Sequence, residues 1–322
     1  MMMKSTHKTV DEMIRDPGLY HCLNKPGIAV EDCDVIVFST PFDGSVQARS
    51  GAKEAPECLR NLTYWWSNTT EDFEGMEDLK LLDWGDAKGK DREEIFAQVE
   101  DMAYRAVKSG KFFTMIGGDH STTIPVVRGI NRAVDEPVGL IHFDAHPDLV
   151  YAMDDDLESH GSVHRRTLEL EHFSNPHTMF QVGIRSAEVE EFEFIQNQGI
   201  RVLTARDVDE LGVVECVRRI KNTMKGLRKV YLTFDVDCLD PAYAAGTGTP
   251  QFGGLTSRQV LGLLRGVFDL PIIGYDIVEV APPLDPSLTS VYAARKLLTE
   301  CWGHHFRKQG RLVPYHYNKG DI

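Results

Sequence analysis

VGLIHFDAHPD, residues 138–148, runs from an apolar lead into three side chains able to bind a cation. Val138 to Phe143 have the composition of a buried strand, and Asp144, His146 and Asp148 follow at every second position. In extended backbone, residues two apart point the same way. The spacing therefore predicts three donors converging at a strand end. Buried carboxylates without partners are costly, so a cation is the natural focus. The bland alternative is a solvated strand end.

Similar apolar runs recur along the chain: DVIVFS at 34–39, KFFTMI at 111–116, TMFQV at 178–182, KVYLTF at 229–234 and IIGYDIV at 272–278. Between them lie helical patterns. In DREEIFAQVEDMAYRAVKSG (91–110), Ile95, Phe96, Val99, Met102, Ala103, Ala106 and Val107 keep helical spacing, and Gly110 suits a C-terminal cap. Strands alternating with helices predict an α/β fold, with a mostly parallel central sheet covered by helices on both faces. No linker or repeat divides the chain. We expect one domain over residues 1–322, with residues 1–30 as an N-terminal extension. In such sheets ligands bind beyond the carboxyl ends of the strands, which directs attention to the polar residues after each apolar run.

Bulk properties narrow the partners. The 322 residues are 42% hydrophobic and 26% charged, as in soluble globular proteins. A net charge of -14 leaves no basic surplus to neutralise phosphates, which argues against nucleic acid, and an acidic field suits a small cationic substrate. Six scattered cysteines form no CxxC pair, excluding a thiolate zinc site and a disulfide scaffold. No apolar run approaches membrane-spanning length and the start lacks an apolar signal core. The expectation is a cytoplasmic protein with no membrane partner.

Four strand ends carry metal-capable chemistry. GGDHS (117–121) follows one run, HFDAHPD another, DVDCLDP (235–241) a third, and Glu279 closes the fourth. The donors are two histidines, His120 and His146, and four carboxylates, Asp144, Asp148, Asp235 and Asp237. So many anionic donors exceed one small cation but suit two divalent ions sharing bridging carboxylates, at roughly 3.5–4 Å. Mixed imidazole and carboxylate donors favour manganese (Mn2+), with nickel (Ni2+), iron, cobalt and zinc as competitors.

In order, GGDHS, HFDAHPD, DVDCLDPAYAAGTGTP (235–250), GGLTSRQV (253–260) and EVAPPLD (279–285) resemble the ureohydrolase family of arginases and agmatinases, most closely its agmatinase branch. STPFDGSVQARSGAKEAPECLRN (39–61) and LLDWGD (81–86) resemble its opening motifs. The resemblance implies a three-layer α/β/α sandwich of the arginase type and a binuclear manganese centre. One ion would take His120, Asp144, Asp148 and Asp235, the other Asp144, His146, Asp235 and Asp237. It also implies hydrolysis of a guanidino compound to urea and an amine, agmatine to putrescine above all, in a trimer or hexamer. Glu279 matches the guanidinium-binding glutamate, and His160, in ESHGSVHRR (158–166), the histidine that passes a proton to the departing amine. His142 receives no ligand role, and His164, where the family more often has an aromatic, reads as structural.

The substrate tail should meet LVYAMDDDLES (149–159), where Asp154, Asp155 and Asp156 would welcome an ammonium and repel a carboxylate. Three positions depart from the usual agmatinase pattern: Pro147 replaces Thr, Ala245 replaces Pro, and Gln251–Phe252 replace a Glu-x pair. Hydrolysis of guanidino acids (guanidinobutyrate, guanidinopropionate) or free guanidine is the alternative. An acid would need a cation such as Arg165, Arg166 or Arg185. A non-enzymatic alternative is a metal-binding regulatory subunit on the same fold.

Overall fold

In the computed structural model, residues 8–316 are described. The strands are β1 (Val35–Ser39), β2 (Glu74–Gly75), β3 (Leu81–Asp86), β4 (Phe112–Ile116), β5 (Gly139–Phe143), β6 (Met179–Ile184), β7 (Arg201–Thr204), β8 (Val230–Asp235), β9 (Ile272–Val278) and β10 (Val313–Pro314). Eight form one sheet in the order β3-β1-β4-β9-β8-β5-β6-β7, parallel at every pairing. β2 and β10 make a separate antiparallel pair.

Burial explains the sequence pattern. Every residue of β1, β4, β5, β6 and β8 is buried, as parallel strands covered on both faces must be. β3, at one edge, alternates buried with half-buried positions instead. The helices are α1 (Val10–Met13), α2 (Ala55–Thr63), α3 (Arg92–Lys108), α4 (Thr123–Ala133), α5 (Val163–Thr167), α6 (Val189–Gln198), α7 (Ala205–Thr223), α8 (Ser257–Val267) and α9 (Thr289–Arg307). Ile36, Phe38, Phe113 and Met115 pack with Val99 and Ala103 of α3 and Val126 and Ile130 of α4. Val35, Val37, Phe143 and Leu232 turn the other way, into a core shared with α2, α7, α8 and α9. Two apolar cores separated by one sheet constitute the three-layer sandwich, as expected.

The segment read as an N-terminal extension is packed in its described part. Met13, Leu19, Tyr20 and Leu23 are buried, and the Tyr20 hydroxyl donates to Asp83 at 2.6 Å; residues 1–7 lie outside the described residues. Asp83 also receives the buried Arg60 guanidinium through two bonds, at 2.8 and 2.9 Å. Arg60 further reaches Asp86 and Ser39 Oγ, each at 2.7 Å. This fork ties α2 to β1 and β3. Removing one partner of a buried ion pair strands the other charge. Arg60→Met should therefore lower unfolding stability by about 3–5 kcal/mol, read from the urea midpoint. Arg60→Met combined with Asp83→Leu should recover part of that loss.

Candidate metal centre and active site

The four strands that precede the suspected donors are neighbours, β4-β9-β8-β5, although they are far from consecutive in sequence. Their register sets Ile116 beside Ile277, Ile277 beside Phe234, and Phe234 beside Phe143. Four chains thus leave the sheet along one row. Within four residues of it stand His120, Glu279, Asp235 and Asp144.

Asp144, His146 and Asp148 do not share a strand face, contrary to the spacing-based expectation. β5 ends at Phe143, and Asp148 sits in left-handed backbone at φ 54°. The three donors meet because the chain curls after the strand. Asp237 likewise lies in a short 3-10 turn, Val236–Cys238, rather than on a strand face shared with Asp235. Glu279 is a second left-handed residue, at φ 60°. Such strain clusters at functional sites. Gly118 is obligatory for a different reason: a Cβ there would lie 1.8 Å from the Phe42 carbonyl oxygen.

A backbone N–H anchors one carboxylate oxygen of each of Asp144, Asp235 and Asp237. Asp237 Oδ1 accepts from the Ala145 N–H at 3.0 Å while Oδ2 faces His146 Nδ1 at 3.1 Å. Asp235 Oδ1 accepts from the Asp237 N–H at 2.7 Å, and Oδ2 lies 3.5 Å from His120 Nδ1. His120 Nδ1 is also 2.8 Å from Asp148 and 3.1 Å from Asp144 Oδ2. Asp144 Oδ1 lies 3.4 Å from His146 Nδ1, so Asp144 belongs to both clusters.

These contacts test the fit of a cation. His120 Nδ1 is buried and makes no hydrogen bond of proper geometry, although three carboxylates crowd it. Burial opposes charging this imidazole, yet the close carboxylates of Asp144, Asp148 and Asp235 push it well above its ordinary value. Burial raises Asp235 well above the usual carboxylate range, and Asp237 and Asp144 add to the rise. The surroundings call for positive charge. Two His/Asp clusters joined at Asp144 suit a metal pair. The outer contacts agree: His120 Nε2 pairs with Thr233 Oγ1 at 2.9 Å, and that hydroxyl donates to Asp276 at 2.6 Å, the support typical of a metal-binding imidazole.

Beside the donors opens a cavity of about 280 Å³, lined by His146, Asp148, His160 and Asp235, and by Gln47, Met153, Ser186, Glu188 and Glu191. His160 Nδ1 contacts Glu279 Oε1 at 3.3 Å. Burial pulls His160 down, but the bond and charge of Glu279 outweigh it and hold the imidazole up at about 9. Glu279 Oε1 also accepts from the His120 N–H at 2.9 Å. Glu279 is buried and adjoins the cavity through His160 rather than lining it.

The acids proposed for the substrate tail stand elsewhere. Asp156 is paired with Arg92 through two bonds, at 2.5 and 3.0 Å, and Asp154 accepts from Gln47 at 2.7 Å. Asp155 is exposed, and none of the three lines the cavity. The lining acids, Glu188 and Glu191, were not singled out from sequence. Their spacing spells a helix start, and they do form the capping box of α6. Nothing in the local pattern places that helix end over the metal donors. Arg165 stacks on Phe194 at 3.7 Å, Arg166 lies over Tyr151 at 5.2 Å, and Arg185 donates to the carbonyls of Asp237 and Gln251.

The relatives agree with this geometry. A sequence profile of the arginase family matches residues 33–303. An agmatinase from Salmonella paratyphi B is 37% identical over 276 residues, spanning 84% of this chain and 86% of its own. Among solved structures, the proclavaminate amidino hydrolase of Streptomyces clavuligerus superposes with a TM-score of 0.81 at 32% identity, covering 88% of this chain and 95% of that one. The agmatine ureohydrolase of Thermoplasma volcanium gives 0.78 at 30% identity, covering 88% and 94%. With the profile spanning nearly all of the sheet and every donor described above, the chain belongs to the arginase family.

Proposed function

We propose that this protein is a binuclear-metal amidinohydrolase that converts agmatine to putrescine and urea. The observation that carries the substrate is the cavity wall: it holds two glutamates beyond the metal donors and no lysine or arginine. A guanidino acid would bring its carboxylate against Glu188 and Glu191 with no cation to meet it. Agmatine brings an ammonium. The agmatinase relative supports the same choice.

His120, Asp144, Asp148 and Asp235 would hold one ion, and Asp144, His146, Asp235 and Asp237 the other. When bound, such ions lower the pKa of water and supply a nucleophile at neutral pH. The donor chemistry favours manganese, with nickel as the main competitor. The remaining work falls to the chain. Glu279 has Oε1 occupied by the His120 N–H and His160, which leaves Oε2 for a guanidinium N–H. His160, protonated at neutral pH, donates to the departing amine. Glu188 and Glu191 hold the distal ammonium and so fix the guanidinium carbon. Asp154 and Asp156 shape the loop over the cavity through Gln47 and Arg92. We further infer a single cytoplasmic domain that assembles as a trimer or hexamer, as the family resemblance implies.

Protein reconstituted with manganese should release urea from agmatine faster than from guanidinobutyrate, guanidinopropionate or guanidine, and His146→Ala should abolish it; no urea from any of the four would sink the proposal. Glu188→Gln, which keeps the helix cap, should raise KM for agmatine about two- to fivefold with kcat preserved, as for an exposed ion pair worth up to about 1 kcal/mol. The pH profile has a definite sign. A group held up at about 9 is protonated below that value, so kcat/KM should fall as pH rises through 9, and His160→Asn should remove that limb along with most of the activity.

A further inference from the structure

Behind Asp144 lie two imidazoles that the mechanism above does not use. His142 and His164 are both 0% exposed, and their ring centroids are 3.9 Å apart with the planes tilted by 55°. His142 Nε2 lies 2.7 Å from Asp144 Oδ2, the oxygen that also faces His120. His142 Nδ1 and both nitrogens of His164 have no hydrogen-bond partner although they are fully buried. Three such atoms call for an explanation, since a buried polar group without a partner loses its solvation and gains nothing in return.

Proton accounting gives the answer. Asp144, as an ionised ligand, only accepts. The short contact therefore places the hydrogen of His142 on Nε2, which leaves a lone pair on Nδ1. In its neutral form His164 carries a hydrogen on one ring nitrogen. We propose that His164 donates this hydrogen to His142 Nδ1, so that the two rings form a relay ending on Asp144 and hold that shared carboxylate in bridging position. Closing the bond requires the two rings to turn and to slide apart, because an in-plane N–H···N bond separates imidazole centroids by more than the 3.9 Å seen here. Both histidines are positioning residues in this scheme, acting through Asp144. His164 is itself fixed from the same centre, because its backbone N–H donates to the Asp148 carbonyl at 2.9 Å.

One nitrogen each from His120, His142 and His164 can also be grouped within 4.8 Å, which raises the prospect of a third ion. His120 has no nitrogen to spare, with Nδ1 facing the carboxylates and Nε2 on Thr233. A cation held by the two neutral rings would face two divalent neighbours with no carboxylate of its own. The relay needs no such charge.

This inference rests on the binuclear reading, and its test reads metal rather than urea. His164→Phe and His164→Met remove the donor at similar volume, whereas His164→Gln keeps an N–H. Each variant is loaded with manganese or cobalt, titrated with a chelator and analysed for ions per chain; the cobalt absorption spectrum reports ligand geometry. Loss of an outer-shell partner costs about 10- to 100-fold in metal affinity. We expect losses in that range for Phe and Met, with a shifted cobalt spectrum, and recovery to within about threefold of wild type for Gln. Wild-type affinity and spectrum in the Phe variant would overturn the relay while leaving the binuclear centre intact. If that variant does not fold, equal affinity in Met and Gln does the same. Three ions in wild type falling to two in the variants would replace the relay with a third site. Wild-type protein that binds no pair of ions would overturn both readings.

Discussion

Four aspartates are buried together at one rim of the sheet, and like charges at that spacing cannot all stay ionised in a medium of low polarisability without positive charge between them. Two imidazoles share the space but cannot balance four carboxylates. Divalent ions can. Much of the local architecture exists to hold these oxygens against their mutual repulsion. Backbone N–H groups of Ala145, His146 and Asp237 each fasten an aspartate oxygen, His142 hydrogen-bonds Asp144, and the imidazoles of His120 and His146 approach it from two other directions. Asp144 consequently stays well below the usual carboxylate range: burial works against it, but His142, His120 and His146 prevail.

Strain is the second consequence. Asp148 and Glu279 adopt left-handed backbone that side chains other than glycine rarely accept, and Gly118 lets one loop press against the Phe42 carbonyl. Residues held this way persist only where the surroundings over-determine them. Here the surroundings are rigid parallel strands, buried on both faces, in matched register. The fold supplies stiffness at the row where four chains exit, and the exits supply the chemistry.

In the proposed reading, selectivity comes from a separate layer. The guanidinium end would be served by Glu279 and the donor cluster, whereas the tail would meet a wall contributed by the N-terminal turn of α6 and the Gln47 loop. Because the capping box of α6 already needs Glu188 and Glu191, these acids do double duty as helix cap and as negative wall. Arg165, Arg166 and Arg185, the cations available nearby, are committed to aromatic faces and backbone carbonyls.

The residues alone determined the alternation of buried strands with amphipathic helices, because burial on both faces of a parallel sheet demands continuous apolar runs. They also singled out six candidate metal donors, because clustered aspartate and histidine after such runs have few other uses. What they could not determine was how those donors meet. Asp144, His146 and Asp148 read as one strand face but converge through a turn, since pleating ends where the ladder ends at Phe143. The acids that line the cavity lie on a different segment from the run singled out, for a related reason. Asp154 to Asp156 are conspicuous as a run yet are occupied by Gln47 and Arg92 or point to solvent, while Glu188 and Glu191 look like an ordinary helix start. Contacts between segments far apart in the chain leave no periodic trace, and only the packing of α6 against the row of strand ends decides which carboxylates face the cavity.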